Sequence, residues 1–327
     1  MDGRVLRIVI PGGSGQVGQM LARFFQERGH FVTVLTRGPY TAQWQTVHWD
    51  GKTAGPWVET LQGADAVIHL SGKSINCRYT AKNRRQLVDS RVSPTRLLNE
   101  VIAGLSNPPR VWLNASAATI YRHALDRPMD EATGEIGGGE MISPRRRAPE
   151  KWDFTIALVK AWEEAFFGTE TPGTRKVALR TSLVFSPLPG NIFGVLSNLV
   201  RLGLGGTEGN GRQYVSWMHE TDYARALEFL IEHEEIGGPV NLAAPEPLPN
   251  REFMADLRAA WGVPNGLPAP APLIALGTFL LRTEPELVLK SRRVRPGRLL
   301  DAGFEFTFPK WAHAAEDLVR QWKNRDR

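Results

Sequence analysis

Short apolar runs alternate with amphipathic stretches along the first part of the chain. The apolar runs are rich in β-branched residues and predict strands at 5–10, 31–36, 65–70, 110–115 and 176–185. Between them apolar side chains recur at helical spacing, which predicts helices at 16–28, 80–104 and 151–167. Strands that alternate with helices are typical of a parallel sheet covered on both faces. We therefore predict an α/β fold built on a doubly wound parallel sheet of Rossmann type.

The pattern changes after residue 185, where prolines and glycines interrupt the apolar runs. This change predicts a second, smaller lobe of mixed secondary structure that serves the substrate. The domain division that we predict has three parts: a sheet domain of residues 1–185 to which residues 214–243 return, a smaller lobe of residues 186–213 and 244–308, and a C-terminal helix of residues 309–327.

The first predicted strand runs directly into a glycine-rich turn, VIPGGSGQVG at residues 9–18. Gly12 allows a sharp turn, Gly15 lets the backbone approach a diphosphate, and Gly18 lets the next helix pack against the strand. The N–H groups at the start of that helix favour an anion. A strand, these glycines and a helix, in that order, predict a dinucleotide phosphate site.

The residues after the second strand indicate which dinucleotide is bound. A carboxylate about 20 residues past the glycines would bind the adenosine ribose of NAD. The chain has Thr36-Arg37-Gly38 there instead, and a guanidinium can hold a 2′-phosphate through charge-assisted hydrogen bonds. We therefore predict NADP(H) as the cofactor; the alternative is that Arg37 is an ordinary solvated arginine.

Composition and charge narrow the class of partner. The 40 basic and 34 acidic residues give a formal charge of +6, spread along the chain, which suits an anionic cofactor. No zinc-finger, basic-zipper or RNA-binding signature accompanies this charge, so a nucleic-acid partner is not predicted. Cys77 is the only cysteine, which excludes an intrachain disulfide and a cysteine-based metal cage.

The sequence predicts a cytoplasmic protein without a membrane partner. No secretory signal is visible at the N-terminus. The longest apolar run, Leu273–Leu281, is shorter than the roughly 20 residues that span a bilayer. We interpret it as a buried helix of the smaller lobe.

Further motifs carry a family resemblance. They are HLSG at 69–72, SRVSPTRLL at 90–98, ASAATIY at 115–121, RLGLGG at 201–206, SWMHETD at 216–222 and SRRVRPGRLLDAGFEF at 291–306. With the glycine turn, they make nearly the whole chain resemble the extended short-chain dehydrogenases/reductases. The resemblance is closer to the atypical branch called the epimerase family, which has a small C-terminal domain.

The resemblance implies a cofactor site and a kind of substrate. The residues that would hold NADP(H) are Gly12, Gly15, Gly18, Thr36, Arg37, Leu70, Ser71, Gln86, Arg91 and Leu183. The substrate would be a small molecule, either a carbonyl compound or a nucleotide sugar. No metal ion is implied.

The chain departs from the larger superfamily at the catalytic pair. That superfamily uses a Tyr-x-x-x-Lys pair on one helix as its acid and base, but four residues before Lys160 this chain has Ile156. The substitutes that we consider are Tyr121, Ser116 and Lys160. For Tyr121 the alternative is a packed aromatic, for Ser116 ordinary turn chemistry, and for Lys160 a solvated helix lysine.

Other charged residues have open interpretations. His219 and Asp222 could shuttle a proton or support the architecture. The run Arg145–Arg147 could neutralise an anionic substrate or be solvated. Arg201 and Arg212 flank a glycine-rich segment that is either a lid or a structural loop.

Two functions follow from these observations. The first is an NADP(H)-dependent oxidoreductase or nucleotide-sugar epimerase with a non-standard proton donor. The second is a catalytically silent protein that binds NADPH as a sensor or a partner-binding module.

Overall fold

The computed structural model describes residues 4–139, 141–143, 146–147, 149–188, 190–280 and 284–325. The strands are β1 (Arg7–Pro11), β2 (Phe31–Thr36), β3 (Gln45–His48), β4 (Ala66–His69), β5 (Val111–Ala117), β6 (Met141–Ser143), β7 (Arg146–Arg147), β8 (Arg175–Thr181), β9 (Leu183–Phe185), β10 (Tyr214–Val215), β11 (Trp217–His219), β12 (Gly238–Leu242) and β13 (Leu248–Pro249). The helices are α1 (Gln16–Glu27), α2 (Ala81–Ala103), α3 (Glu150–Phe167), α4 (Ile192–Arg201), α5 (Glu220–Glu232), α6 (Asn250–Trp261), α7 (Ala271–Leu280), α8 (Glu286–Leu289), α9 (Gly297–Asp301) and α10 (Trp311–Arg325).

Seven strands form the central sheet, in the order β12-β8-β5-β4-β1-β2-β3. Every neighbouring pair is parallel. The chain runs outward from β1 to β3 on one side and from β4 to β12 on the other, so the strand order reverses between β1 and β4. In open α/β sheets ligands bind at such a point, beyond the carboxyl ends of the strands. The predicted Rossmann-type α/β fold is confirmed.

Both faces of the sheet are covered by helices. Successive strand residues point to opposite sides of the sheet, so alternate apolar residues of one strand belong to two different cores. Ile8 and Ile10 of β1 belong to a core that includes Leu21 and Phe25 of α1 and much of α5. Val9, between them, belongs to the core on the other face, with Trp112 and residues of α2 and α3. The doubly wound arrangement follows directly from this alternation.

Within the central sheet, the structure differs from the predicted strands at β3 and at residues 176–185. Strand β3 was not predicted, because its residues QTVH are largely exposed and form no apolar run. The predicted strand 176–185 is two strands: β8 lies in the central sheet, and β9 turns away at Ser182 to pair with β11. Ser182 marks the break, with its N–H donating to the Leu242 carbonyl at 2.9 Å.

The C-terminal helix α10 is fixed to the rest of the chain by aromatic and polar contacts. Trp311 stacks on Phe253 of α6 with ring centroids 4.1 Å apart. The carboxylate of Asp222 accepts the N–H groups of Thr307 and Phe308, each at 2.8 Å. His219 is buried, with its Nε2 3.3 Å from Asp317 Oδ2 of α10. This geometry supports the architectural interpretation of His219 and Asp222.

The apolar run Leu273–Leu281 is only partly as predicted. It forms α7, although Leu281 lies outside the described residues. Among residues 271–275 only Ile274 is buried, and Leu273 is 52% exposed. The prediction of a buried helix is therefore wrong for this half of α7. Within the described ranges, no helix combines the length and the apolar character that a membrane crossing requires.

Two buried histidines, His69 and His219, and one half-buried histidine, His123, are hard to protonate. Burial lowers the pKa of His69, His123 and His219 to about 4 in each case. His69 lies at the end of β4, where its Nδ1 is 2.7 Å from Asn114 Oδ1. In the unfolded chain a histidine has a pKa near 6.5, so the unfolded chain binds more protons between pH 6.5 and pH 4.

We therefore expect stability to fall as the pH is lowered from 6.5 to 4, because protons stabilise the unfolded chain in this window. A shift from 6.5 to about 4 at His69 corresponds to roughly 3 kcal/mol of unfolding free energy. Urea unfolding at several pH values measures this decline. The variant His69→Gln should make the decline of unfolding free energy with falling pH shallower, whereas substitution of an exposed histidine, His313→Gln, should leave the slope of that decline unchanged. Equal slopes in the two variants would contradict the assignment.

Candidate cofactor site and substrate cavity

The glycine turn after β1 is packed too closely for side chains at two of its three predicted glycines. Gly12 has φ +81°, and a Cβ there would lie 2.7 Å from the Ser71 backbone nitrogen. A Cβ on Gly18 would lie 2.4 Å from the Gly13 Cα. At Gly15 the nearest atom would be 3.7 Å away, an ordinary contact distance, and Gly15 is exposed. The turn is therefore closely packed at Gly12 and Gly18 and open to solvent at Gly15.

The N-terminal end of helix α1 lies at this exposed part of the turn. Gly15 is its N-cap residue and makes no side-chain cap, and the first turn contains no acidic residue. The first N–H groups of a helix have no partner within the helix, and with the helix dipole they favour an anion. Hydrogen bonds from Gln19 to the Ser14 carbonyl (2.8 Å) and from Thr36 to Ser14 Oγ (3.2 Å) fix the turn. These residues fit the diphosphate of a dinucleotide.

Thr36 and Arg37 lie beside this turn. The Gly12 N–H donates to the Leu35 carbonyl at 2.9 Å, which joins the turn to the end of β2. Thr36 is buried, and Arg37 is exposed. Arg37 makes no hydrogen bond or ion pair with the part of the chain that the structure describes. Its guanidinium is thus available for an anionic group such as a 2′-phosphate.

Leu70 and Ser71 link the turn to a neighbouring cavity. The Leu70 N–H donates to the Pro11 carbonyl at 2.8 Å, and Ser71 lies against Gly12. The cavity begins at these two residues and has a volume of about 330 Å³. It lies at the carboxyl ends of β4 and β5, next to the point where the strand order reverses. A ligand bound in the turn can therefore extend into the cavity.

The cavity has three kinds of wall. The first wall is made of strand ends, loops and one residue of α2, the second of one face of α3, and the third of the C-terminal segment. The first wall comprises Leu70–Ile75, Tyr79, Arg91, Ser116, Ala117 and Thr119, the second Thr155, Leu158, Val159 and Trp162, and the third Glu286 and Arg292. Sequence reasoning missed Tyr79, Thr155, Glu286 and Arg292. Only the motif at 291–306 gave a signal, for Arg292.

Arg91 lines the cavity, whereas Gln86 does not. The Arg91 guanidinium is buried and donates to the carbonyls of Leu87 and Lys73, each at 3.0 Å. Burial lowers the pKa of Arg91 to about 10. Gln86 is exposed on α2, where its Oε1 accepts from Lys73 Nζ. Leu183 is half-buried on β9 against the aromatic cluster around Trp311, away from the cavity-lining residues.

Helix α3 turns a face without tyrosine or lysine toward the cavity. That face carries Thr155, Leu158, Val159 and Trp162. Ile156 is buried, and a Cβ on Gly137 would lie 2.8 Å from its Cδ1. Lys160 is exposed on α3 and is not among the cavity-lining residues. A catalytic role for Lys160 stays a prediction, and this placement supports the solvated alternative.

Tyr121 and Ser116 are joined by a buried polar network. Ser116 lines the cavity, but its Oγ donates to Glu163 Oε1 at 2.6 Å. Glu163 pairs with Arg180 through two hydrogen bonds of 2.8 and 2.9 Å. Arg180 in turn donates to the Tyr121 phenol at 3.0 Å, and that phenol donates to Asn241 Oδ1 at 3.0 Å.

This network bears on both catalytic predictions. Burial raises the pKa of Tyr121, and the residue lies outside the set that lines the cavity. The hydroxyl hydrogen of Ser116 is already directed to a carboxylate. The roles of both residues stay predictions, and the geometry supports the packed-aromatic alternative for Tyr121.

Of the other arginines that the sequence singled out, Arg201 and Arg212 are not among the cavity-lining residues. Arg145 lies outside the described residues, as do the side chains of Arg146 and Arg147. The Arg201 guanidinium lies 5.4 Å from the centre of the Trp261 ring, and Arg212 is exposed. A lid between Arg201 and Arg212 stays a prediction.

The sequence matches known families along most of its length. The pattern of the NAD-dependent epimerase/dehydratase family matches residues 8–243, and that of a domain of unknown function, DUF1731, matches residues 269–318. Human epimerase family protein SDR39U1 is 29% identical over 319 residues, which cover 96% of this chain and 100% of that protein. Epimerase family protein ML0860 of Mycobacterium leprae is 31% identical over 303 residues, with 91% of each chain covered.

Solved structures agree with this assignment. The crystal structure of human SDR39U1 (isoform 2) with NADPH matches with a TM-score of 0.82 at 27% identity, over 96% of this chain and 99% of that chain. The enzyme WbmG of Bordetella bronchiseptica, crystallised with NAD and UDP, has a TM-score of 0.71 at 13% identity, over 99% and 96% of the chains; this second likeness is one of fold.

The resemblance predicted from the motifs is thus confirmed. The family pattern covers most of the chain, and the relatives match from end to end. This chain belongs to the NAD-dependent epimerase/dehydratase family, as an atypical extended short-chain dehydrogenase/reductase of the epimerase family with the small C-terminal domain of that branch.

Proposed function

We propose that this protein binds NADP(H) in the glycine turn and uses it for an oxidoreductase or epimerase reaction on a small molecule in the adjoining cavity. One observation carries the proposal: the open, uncapped start of α1 at Gly15 lies between the exposed Arg37 and a cavity that begins at Ser71. This arrangement offers donors for a diphosphate, a cation for a further phosphate and space for a reacting group.

The choice of NADP(H) rests on Arg37. Its guanidinium has the charge and the fork of donors that a 2′-phosphate requires, and no carboxylate stands at that position. The human relative was crystallised with NADPH, whereas the more distant WbmG was crystallised with NAD. The preference therefore has to be measured on this chain.

The cavity supports a small-molecule substrate. A bound nicotinamide supplies or accepts a hydride. The apolar side chains of Leu158, Val159 and Trp162 would exclude water from the reacting carbon, and the polar side chains would orient an oxygen of the substrate. The volume of about 330 Å³ is at the lower end of ligand sites, which span about 300–1,000 Å³. This size favours a compact carbonyl compound over a whole nucleotide sugar.

A second function, a catalytically silent NADPH sensor, is favoured by the face that α3 presents. Thr155 and Val159 occupy the cavity-facing positions with i, i+4 spacing, and this pair cannot perform the acid-base chemistry of a Tyr-x-x-x-Lys pair. The two functions differ in turnover and not in cofactor binding.

Isothermal calorimetry with NADPH and NADH tests the cofactor. We expect tighter binding of NADPH, because Arg37 gains a charge-assisted hydrogen bond to the extra phosphate. Arg37→Ala should weaken NADPH binding by about 10- to 100-fold and leave NADH binding unchanged. Arg96→Ala, another exposed arginine, is the control. Equal affinities for the two nucleotides in the native protein would remove Arg37 from its proposed role.

Gly15→Ala separates cofactor binding from folding. The added Cβ meets nothing closer than 3.7 Å within the protein, so the melting temperature should be unchanged. It would occupy the place where the backbone meets the diphosphate, and NADPH affinity should fall about tenfold or more. Gly104→Ala, whose Cβ would also meet nothing closer than 3.6 Å, should bind NADPH normally. Unchanged affinity in the Gly15 variant would place the nucleotide elsewhere.

Turnover distinguishes the two functions. With NADPH and a panel of aldehydes, ketones and nucleotide sugars, we expect a fall in absorbance as the cofactor is oxidised. Tyr121→Phe should retain most of this turnover, because the phenol is engaged with Arg180 and Asn241. Lost turnover in that variant, with intact NADPH binding, would instead make Tyr121 the proton donor. Silence of the native protein across the panel, with tight NADPH binding, would favour the sensor.

A further inference from the structure

Two buried polar side chains on the cavity wall lack partners for one atom each. Tyr79 is 5% exposed and Glu286 3% exposed. The Tyr79 hydroxyl and Glu286 Oε2 make no hydrogen bond within the described part of the chain. A buried polar atom without a partner costs free energy, and such atoms are rare in folded proteins. Both residues line the same cavity, so a ligand there could supply both missing hydrogen bonds.

The other Glu286 oxygen is held firmly. Oε1 accepts the Thr155 hydroxyl of α3 at 2.7 Å and lies 3.3 Å from Arg292 Nη2. The single hydrogen of the Thr155 hydroxyl can also donate to the Trp152 carbonyl, 3.0 Å away, whereas the Arg292 guanidinium can only donate. Because that guanidinium faces Oε1, a proton on this carboxyl would reside on Oε2. The unpartnered oxygen is therefore the one that would carry and release the proton.

Tyr79 is positioned from the same side. Its backbone N–H donates to Glu284 Oε1 at 2.8 Å, and Glu284 also pairs with Lys151 of α3 at 2.6 Å. The Tyr79 ring packs edge-on against Phe154 of α3, with centroids 5.3 Å apart. The C-terminal segment and α3 thus hold both Tyr79 and Glu286 beside the cavity.

Several other polar side chains of the cavity already have partners. The Ser116 hydroxyl donates to Glu163, and Thr119 Oγ1 accepts from Arg292 Nε at 3.0 Å. The Lys73 ammonium donates to Asn83 and Gln86. Tyr79 and Glu286 are therefore the better placed groups to address a substrate oxygen.

We propose that Glu286 is the proton donor for a small carbonyl substrate and that Tyr79 orients the carbonyl oxygen by a hydrogen bond. The inference rests on the proposed NADPH-dependent function. In the step, the carbonyl carbon accepts a hydride from the reduced nicotinamide, and the π electrons of the C=O bond move to the oxygen. The oxygen takes the proton from Glu286 Oε2, whose O–H electrons remain on the carboxylate. Solvent reprotonates the carboxylate before the next turnover, and the products are an alcohol and NADP⁺.

The electrostatic environment of Glu286 agrees with this role. Burial raises the pKa of Glu286 above its usual range, although the nearby charges of Arg292 and Lys290 act in the opposite direction. Glu284 raises it further. A raised pKa keeps the acid form available closer to neutral pH, where a general acid is most effective.

Infrared difference spectroscopy tests the acid directly, without turnover. In a pH titration of the protein loaded with NADP⁺, we expect a protonated-carboxyl band that is absent in Glu286→Gln. It should persist in Glu208→Gln, a matched variant because Glu208 is also a carboxyl of raised pKa but is half-buried and lies outside the cavity. Addition of acetaldehyde, cyclohexanone or 4-nitrobenzaldehyde should shift this band. A band that is missing, or that none of the three probes moves, would overturn the proposal.

Kinetics with NADPH and the same probes form the second arm. Glu286→Gln should lower kcat by about 100-fold or more with little change in KM, and should abolish the fall in kcat as the pH rises through the pKa of the acid. Tyr79→Phe should mainly raise KM, by about tenfold. Glu286→Asp should recover part of the lost kcat, and Glu208→Gln should match the native protein.

The two proposals fail in different ways. Loss of NADPH binding in the native protein would end the proposed function. Intact NADPH binding without oxidation of any probe would end the proposed reaction, and the infrared band would then decide whether Glu286 engages a carbonyl ligand. Normal kcat in a folded Glu286→Gln variant, verified by its melting temperature, would overturn the acid role alone.

Discussion

The close approach between Gly12 and Ser71 is the constraint on which the site depends. With a Cβ at Gly12 the turn and the end of β4 would have to separate, because the nearest atoms would be only 2.7 Å away. The absence of a side chain at Gly12 therefore lets the glycine turn contact Ser71 at the mouth of the cavity. Packing of this kind is stiff, since protein interiors leave little free volume. This backbone contact thus fixes the position of the glycine turn relative to the cavity.

The buried network around Arg180 illustrates how polar groups can stabilise a fold. Arg180 and Glu163 are each about 10% exposed at their side chains, so removing either partner would leave a buried charge uncompensated. The same pair engages Ser116 and Tyr121, which sequence reasoning had considered as catalytic. Residue type and distance from the glycine turn could not distinguish a structural role from a catalytic one, because either role places a hydroxyl near the end of a parallel strand.

The sheet and the glycine turn could be predicted from the sequence because both depend on local patterns. Apolar runs mark strands that are buried on both faces, and the glycine spacing is set by contacts within the turn. Strand β3 lacked such a pattern because it lies exposed at the edge of the sheet. Tyr79 and Glu286 were missed for a different reason. They meet only because the segment after α7 folds back over α3, and no local pattern records a contact between residues some 200 positions apart.

That late return of the chain has a consequence for synthesis on the ribosome. The glycine turn, β2 and the first cavity wall are made early, while the wall that carries Glu286 and Arg292 emerges only near the end of translation. The cavity is therefore incomplete until the last part of the chain has been made. A product cut short before residue 284 would lack both the last wall of the cavity and the aromatic contact between α10 and α6.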